Sequence, residues 1–411
     1  MEQKYISIGL ILIIAVGLGI FLSGCSVKAE QKDDSEATPE KVSAVVNANN
    51  EFAFDLYSKY KDEKEGNIFF SPYSISTAIA MTYEGARGQT ADEIQKVFHF
   101  PDEDIRRPGF ARLYNNINLG NKKYQLSTAN ALWAQQDYKF LDEYFSTIKK
   151  YYDGDVTNLD LIGETEKSRV TINSWVETQT KNKIKDLIPQ GAIDDYTQLV
   201  LTNAIYFKGD WVLKFDKKKT KEADFKISPE KTVKVDMMSL TGDKVKFNYA
   251  ETEELQILEM PYEGDELSML VILPKENLES IENSINKERL DELKGMLSER
   301  KINVYMPKFK FETKYFMSDD LKEMGMPTAF TTLADFSGMT GNKDLLISKV
   351  IHQAFVEVNE EGTEAAAATA VVMMKNSMSD YFMADHPFIF IIQQKDTGNI
   401  LFMGRVVDPS E

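Results

Sequence analysis

Polar and apolar positions divide the 411 residues into three stretches. The first is an unbroken apolar run, YISIGLILIIAVGLGIFL at 5–22, with Lys4 before it and Ser23-Gly24-Cys25 after it. The second, residues 25–43, is charged and small with one proline and no aromatic residue. Such a composition buries too little apolar surface to order itself and reads as a flexible acidic tether. The third, residues 44–411, carries regular periodicity without a second linker or an internal repeat, and reads as one large domain. VNANNEFAFDLYSKYK places Phe52, Leu56 and Tyr60 on one helical stripe. Ser71-Pro72 opens a helix over YSISTAIAMTYEGARG that closes near Gly85 and Gly88, and SRVTINSWVETQTKNKI is a further helix ending before Pro189. Strands then dominate: QLVLTNAIYF, TVKVDMM, KVKFNYA, LQILEMPY, LSMLVILP, KINVYMPKFKF, LLISKVIHQAFVEVNE and a last hairpin turning at 396–399. Helices early and antiparallel strands late make an α+β layout.

The lone cysteine changes the picture of the N-terminus. An apolar run of this length suits a transmembrane anchor or an export signal. The Leu22-Ser23-Gly24-Cys25 ending resembles a bacterial or archaeal lipoprotein box. That resemblance implies a signal peptide over residues 1–24, lipid on Cys25, and a protein exported and held at the outer face of the cytoplasmic membrane. With one cysteine there is no intramolecular disulfide, so packing alone stabilises the domain.

Composition narrows the function by exclusion. Hydrophobic content of 43% with 27% charged residues describes a chain with a sizeable core, and a net charge of −17 disfavours nucleic acid as a partner. One basic cluster, KFDKKKTK at 214–221, reads as a solvated loop, with an anionic docking site as its alternative. His99, His352 and His386 have no HExxH spacing, there is no GxSxG elbow, and no glycine-rich phosphate loop stands before a helix. No enzyme, metal or cofactor is expected. One segment fits none of these classes: EEGTEAAAATA, residues 360–370, is alanine-rich yet broken by glycine and β-branched residues.

Four blocks carry a family resemblance: NIFFSPYSISTAIAMTYEGARGQTADEI (67–94), LTNAIYFKGDW (201–211), ISKVIHQAFVEVNEEGTEAAAATA (347–370) and ADHPFIFIIQQKDTGNILFMGRVVDP (384–409). In order and spacing they resemble the serpin family, over about Asn50 to Pro409. The resemblance implies a serpin-like fold of three β-sheets and about nine helices, with an exposed reactive loop. A serine or papain-like cysteine protease cuts that loop. The loop then inserts as a new strand of the main sheet while the protease is still bound as an acyl-enzyme. Glu360, Glu361 and Gly362 form the hinge. Strand alternation points Thr363, Ala365, Ala367 and Thr369 one way and Glu364, Ala366 and Ala368 the other, small residues that slip under a packed sheet. Thr363 to Asn376 is 14 residues, roughly 46 Å when extended, enough to cross a large sheet. Counting from the hinge and from Pro387 places the cut bond at Asn376–Ser377, with Lys375 or Met374 as shifted alternatives. Ser71, Ser74, Asn203 and His352 match a polar cluster that gates strand separation, and Trp211 matches the residue where the loop first enters. The expected protein is a monomeric, lipid-tethered inhibitor. A non-inhibitory serpin that binds or carries a ligand is the alternative, and a lipoprotein solute receptor is disfavoured because its two-lobed pattern is absent.

Overall fold

The computed structural model of the chain describes residues 29–363 and 380–411. Phe52, Leu56 and Tyr60 lie fully buried on the helix Pro39–Glu63. Thr38 opens that helix by accepting from the Lys41 N–H, and Pro39 sits where a missing N–H does no harm. The helix Pro72–Gly85 is capped the same way by Ser71 and is buried along nearly its whole length. Gly88–Phe98, Glu103–Asn118, Asp142–Tyr151, Thr165–Gln179 and Lys287–Met296 are the other long helices among ten α-helical segments in the described residues.

Residues 29–43 are not a tether. The Lys32 N–H donates to Asn115 Oδ1 and its carbonyl accepts from Asn115 Nδ2, both at 2.9 Å, while Lys32 Nζ meets Asp153 at 2.6 Å. Lys150 pairs with Asp33 at 3.0 Å, Arg112 holds Asp34, and the first helix begins at Pro39. Composition misled here because these charges meet partners on the helices Glu103–Asn118 and Asp142–Tyr151 and, for Lys32, on Asp153 just beyond the second, instead of water.

Three sheets organise the rest. The central sheet runs, in order, Phe309–Phe316, Lys349–Val358, Gly362–Thr363, Leu199–Asp210, Tyr124–Gln135 and Asp155–Leu159. A seven-stranded sheet is built around Phe388–Gln394 and Ile400–Val406, the predicted last hairpin, and a four-stranded sheet includes Asn303–Pro307 and Tyr381–Met383. The expectation of antiparallel strands holds only in part. Lys349–Val358 runs parallel to Leu199–Asp210, and Tyr124–Gln135 parallel to Asp155–Leu159. The KINVYMPKFKF run is also two strands in two sheets, divided at Lys308, whose N–H still donates to the Asp236 carbonyl at 2.8 Å before the chain crosses to the central sheet.

Alternation along the central strands separates two cores. Ala129, Ala131, Trp133, Val200 and Ala204 face a smaller cluster that includes Ile172 and Val176 of the Thr165–Gln179 helix. Leu132, Leu201 and Ile205 face the main core, where Phe69 stacks on Phe390 and Phe402. The fold is α+β, with three sheets and about ten helices.

Candidate functional site

The two central parallel strands pair from Lys349↔Val200 to Phe355↔Tyr206 and then part company. Beyond that point the chain leaving Val358 turns through residues 359–362 and comes back between them. Thr363 pairs with Val358 on one side and Gly209 on the other, and Gly362 pairs with Asp210. Gly362 of the hinge and Thr363 are therefore the first rungs of a strand inside the sheet, with Glu360 and Glu361 in the turn before it. Gly362 is required by close approach: a Cβ there would lie 2.0 Å from the Gly209 carbonyl oxygen. Thr363 is 1% exposed, and its hydroxyl meets Tyr262 Oη at 3.0 Å in the main core.

Trp211 lies beneath this turn. Its ring stacks on Tyr262 with centroids 4.5 Å apart, and its indole N–H donates to the Asn359 carbonyl at 3.0 Å. Its backbone N–H donates to the Glu361 carbonyl at 2.8 Å, and that of Phe215 to Glu360 at 2.9 Å. The Glu360 side chain is buried; it accepts from the Thr220 hydroxyl at 2.7 Å and faces Lys308 at 3.5 Å. Glu361 meets Lys217 at 2.8 Å and Lys214 at 3.6 Å, and the hydrogen bond from Lys217 holds its carboxyl below the usual range.

Farther down the same parallel pair lies a row of polar side chains. Tyr315, His352, Asn203 and Asn130 are direct register partners across four adjacent strands. His352 Nδ1 bonds to Asn203 Oδ1, and Asn203 Nδ2 donates to Asn130 Oδ1 and the Ser74 hydroxyl. The Ser71 N–H donates to His352 Nε2 at 3.1 Å, and the Ser71 hydroxyl donates to the Leu401 carbonyl at 2.6 Å. Because Nε2 accepts and Asn203 Oδ1 accepts, the imidazole is neutral with its proton on Nδ1. Burial agrees, lowering its pKa from 6.5 to about 3. Ser71, Ser74, Asn203 and His352 are thus brought together in a bonded, buried cluster, as buried polar groups must be.

Sequence reasoning missed Asn130, Tyr262 and Asn359. Asn130 had a visible signal: like Asn203 it interrupts an apolar strand and is followed by alanine. Tyr262 and Asn359 look like ordinary strand ends. Cys25, Glu364, Ala365, Ala366, Ala367, Ala368, Thr369, Met374, Lys375, Asn376 and Ser377 lie outside the described residues.

The site is thus a large sheet whose two middle parallel strands are parted by a hairpin, above a buried polar cluster. The family profile for serpins (serine protease inhibitors) matches residues 47–409, and the chain belongs to the serpin family. It is 43% identical over 420 residues to an uncharacterized serpin-like protein of Methanosarcina mazei, with 97% of each chain covered. It is 42% identical to a leukocyte elastase inhibitor of Xenopus tropicalis, covering 87% of this chain and 97% of that one. Among solved structures it is similar to human thyroxine-binding globulin complexed with its hormone, at 31% identity and a TM-score of 0.82, covering 90% of this chain and all of the other. Family membership defines the chain as a protease-inhibitor relative, in a family not generally catalytic.

Proposed function

We propose that this serpin is inhibitory and traps a serine or papain-like cysteine protease at the cell surface. The protease nucleophile attacks the Asn376 carbonyl, releases the Ser377 amine, and is left as an ester or thioester on Asn376. Insertion of the loop then carries it across the sheet before water can hydrolyse the bond. The observation that carries this reading is the Gly362–Thr363 strand seated between the two parallel strands. Both of its registers can be continued. Residue by residue, the pairing with Leu199–Asp210 brings Thr369 opposite Asn203, and the pairing with Lys349–Val358 brings the same residue opposite His352. A threonine hydroxyl arriving there both donates and accepts, so it can replace the His352–Asn203 bond that insertion breaks. The two ladders agree because the flanking strands keep at Thr363 the offset that pairs His352 with Asn203.

The carrier reading has less support. A groove of about 960 Å³ between the helices Pro39–Glu63 and Gly88–Phe98 mixes charged residues such as Glu51, Asp55, Lys59 and Asp92 with apolar Val97, Phe100 and Met324, a lining that singles out no cargo. The test is incubation of the full chain with a panel of proteases of trypsin-, chymotrypsin-, subtilisin- and papain-like specificity. A denaturant-resistant complex, with mass spectrometry locating the bond at Asn376 or within two residues of it, is expected. Cleavage of the loop by every protease without complex would overturn inhibition. Lipid anchoring through Cys25 is part of the same proposal. Cys25→Ser should release the protein from membranes, whereas retention as firm as wild type with residues 1–24 still attached would favour a transmembrane anchor.

A further inference from the structure

The basic cluster at 214–221 reads from the sequence as solvated lysines, yet the structure wraps it around the hinge. The turn at 359–362 is a closed hairpin: Asn359 N–H donates to the Gly362 carbonyl at 2.8 Å, and Glu361 N–H to Asn359 Oδ1 at 3.0 Å. Three consecutive carbonyls of this turn, of Asn359, Glu360 and Glu361, each accept from Trp211 or Phe215. Beyond those backbone ties, Lys217 and Lys214 converge on the Glu361 carboxylate, and Lys214 is itself steadied by Asp210 at 2.7 Å. Asp216 caps the short 3-10 turn Lys217–Lys219 by accepting from the Lys218 N–H, which fixes the backbone that presents Lys217. The cluster is a built contact on the outer side of the turn.

We propose that Lys217, backed by Lys214, is a positioning residue for strand insertion. By holding Glu361 it keeps the 359–362 turn closed, so the cut loop inserts by extending a hairpin that already exists. This rests on the inhibitory reading above. The physical gain is in rate. Starting a new strand between two others requires the turn to close first, and closing it from an open chain loses conformational entropy before any ladder bond forms. With the turn held, each further residue adds its pairs to both neighbours at once. Insertion races hydrolysis of the acyl-enzyme, so anything that opens the turn shifts the outcome from trapped protease to cleaved inhibitor. The residues that set protease choice, near Asn376, are untouched, so cleavage itself is unaffected. The pair is partly exposed and its contribution modest, so the expected effect is a change of about two- to fivefold in partition, and not loss of fold.

The test uses the full chain with whichever protease forms the complex. Lys217→Glu and Glu361→Lys should each raise the number of inhibitor molecules consumed per protease trapped by about two- to fivefold. The rate of loop cleavage stays at the wild-type value in both. The charge-swapped double variant should return toward wild type, and Lys218→Glu, with the same charge change one residue along, should leave partition unchanged. At 1 M salt, where screening shortens to about 3 Å, wild type should move toward the single variants. Unchanged partition in Lys217→Glu overturns the proposal, as does a defect that the swap does not repair, which would mark a merely structural lysine. A wild-type chain that is cut yet traps nothing, and melts no higher after cutting, removes the inhibitory reading and this proposal with it.

Discussion

Thr363 is the last described residue before the loop, and its side chain already lies in the main core against Tyr262. Its rung stands at the start of the inserted strand, so every later inward residue takes its own place only after Thr363 is seated. Thr363→Arg would force a charge into this buried position at several kcal/mol if left unpaired. The variant should be cut at the wild-type rate yet form little denaturant-resistant complex. A Thr363→Arg protein that traps protease as well as wild type would mean that inhibition does not use insertion. His352 makes the second prediction at this scale. Unfolded, its imidazole titrates near 6.5, and burial lowers it to about 3 in the fold. Between those values the unfolded chain binds a proton that the native chain does not, so stability falls as pH falls. The slope is up to about 1.4 kcal/mol per pH unit. His352→Gln should flatten the stability profile between pH 6.5 and 5 relative to wild type. His99 and His386, whose pKa values are raised by carboxylate neighbours, are common to both proteins and drop out of the difference. Parallel profiles for the two proteins would contradict the assignment.

At the scale of elements, legibility tracked how local the signal was. The stripe of Phe52, Leu56 and Tyr60 and the Ser71-Pro72 cap are set by neighbours a few residues away, and periodicity found them. The parallel partnership of Lys349–Val358 with Leu199–Asp210 is set by the path of the chain through all three sheets, which no local pattern encodes. The hinge was visible only through resemblance, because glycine and alanines by themselves look like a poor helix. The lysine cluster was visible as charge, but its partner Glu361 lies far along the chain, so its role was not. The supposed tether failed for the same reason: Lys32 is satisfied by Asn115, 83 residues away. That clip yields a prediction. Removing residues 1–38 should lower stability by about 1–3 kcal/mol relative to removing residues 1–28, because Asn115 and Asp153 then lose buried partners. Asn115→Ala in the longer chain should make residues 29–37 newly sensitive to protease. Equal melting of the two truncations would restore the tether reading.

For the whole molecule, the inhibitory reading requires the uncut fold to be metastable. Its central sheet holds Gly362 and Thr363, the first two of fifteen residues that could run in it as far as Asn376. The row from Tyr315 to Asn130 keeps the remaining length of the two parallel strands together. Full insertion exchanges one parallel seam for two ladders and buries an alternating face of small side chains. Such a protein persists because the barrier is high, and loop cleavage removes the barrier. The most direct measurement is thermal unfolding of the intact chain and of the same chain cut at Asn376–Ser377, at matched scan rates with the cut confirmed by mass spectrometry. The cut protein should melt higher by about 10 °C or more. Coincident melting curves would contradict insertion, leaving a serpin fold that binds without springing.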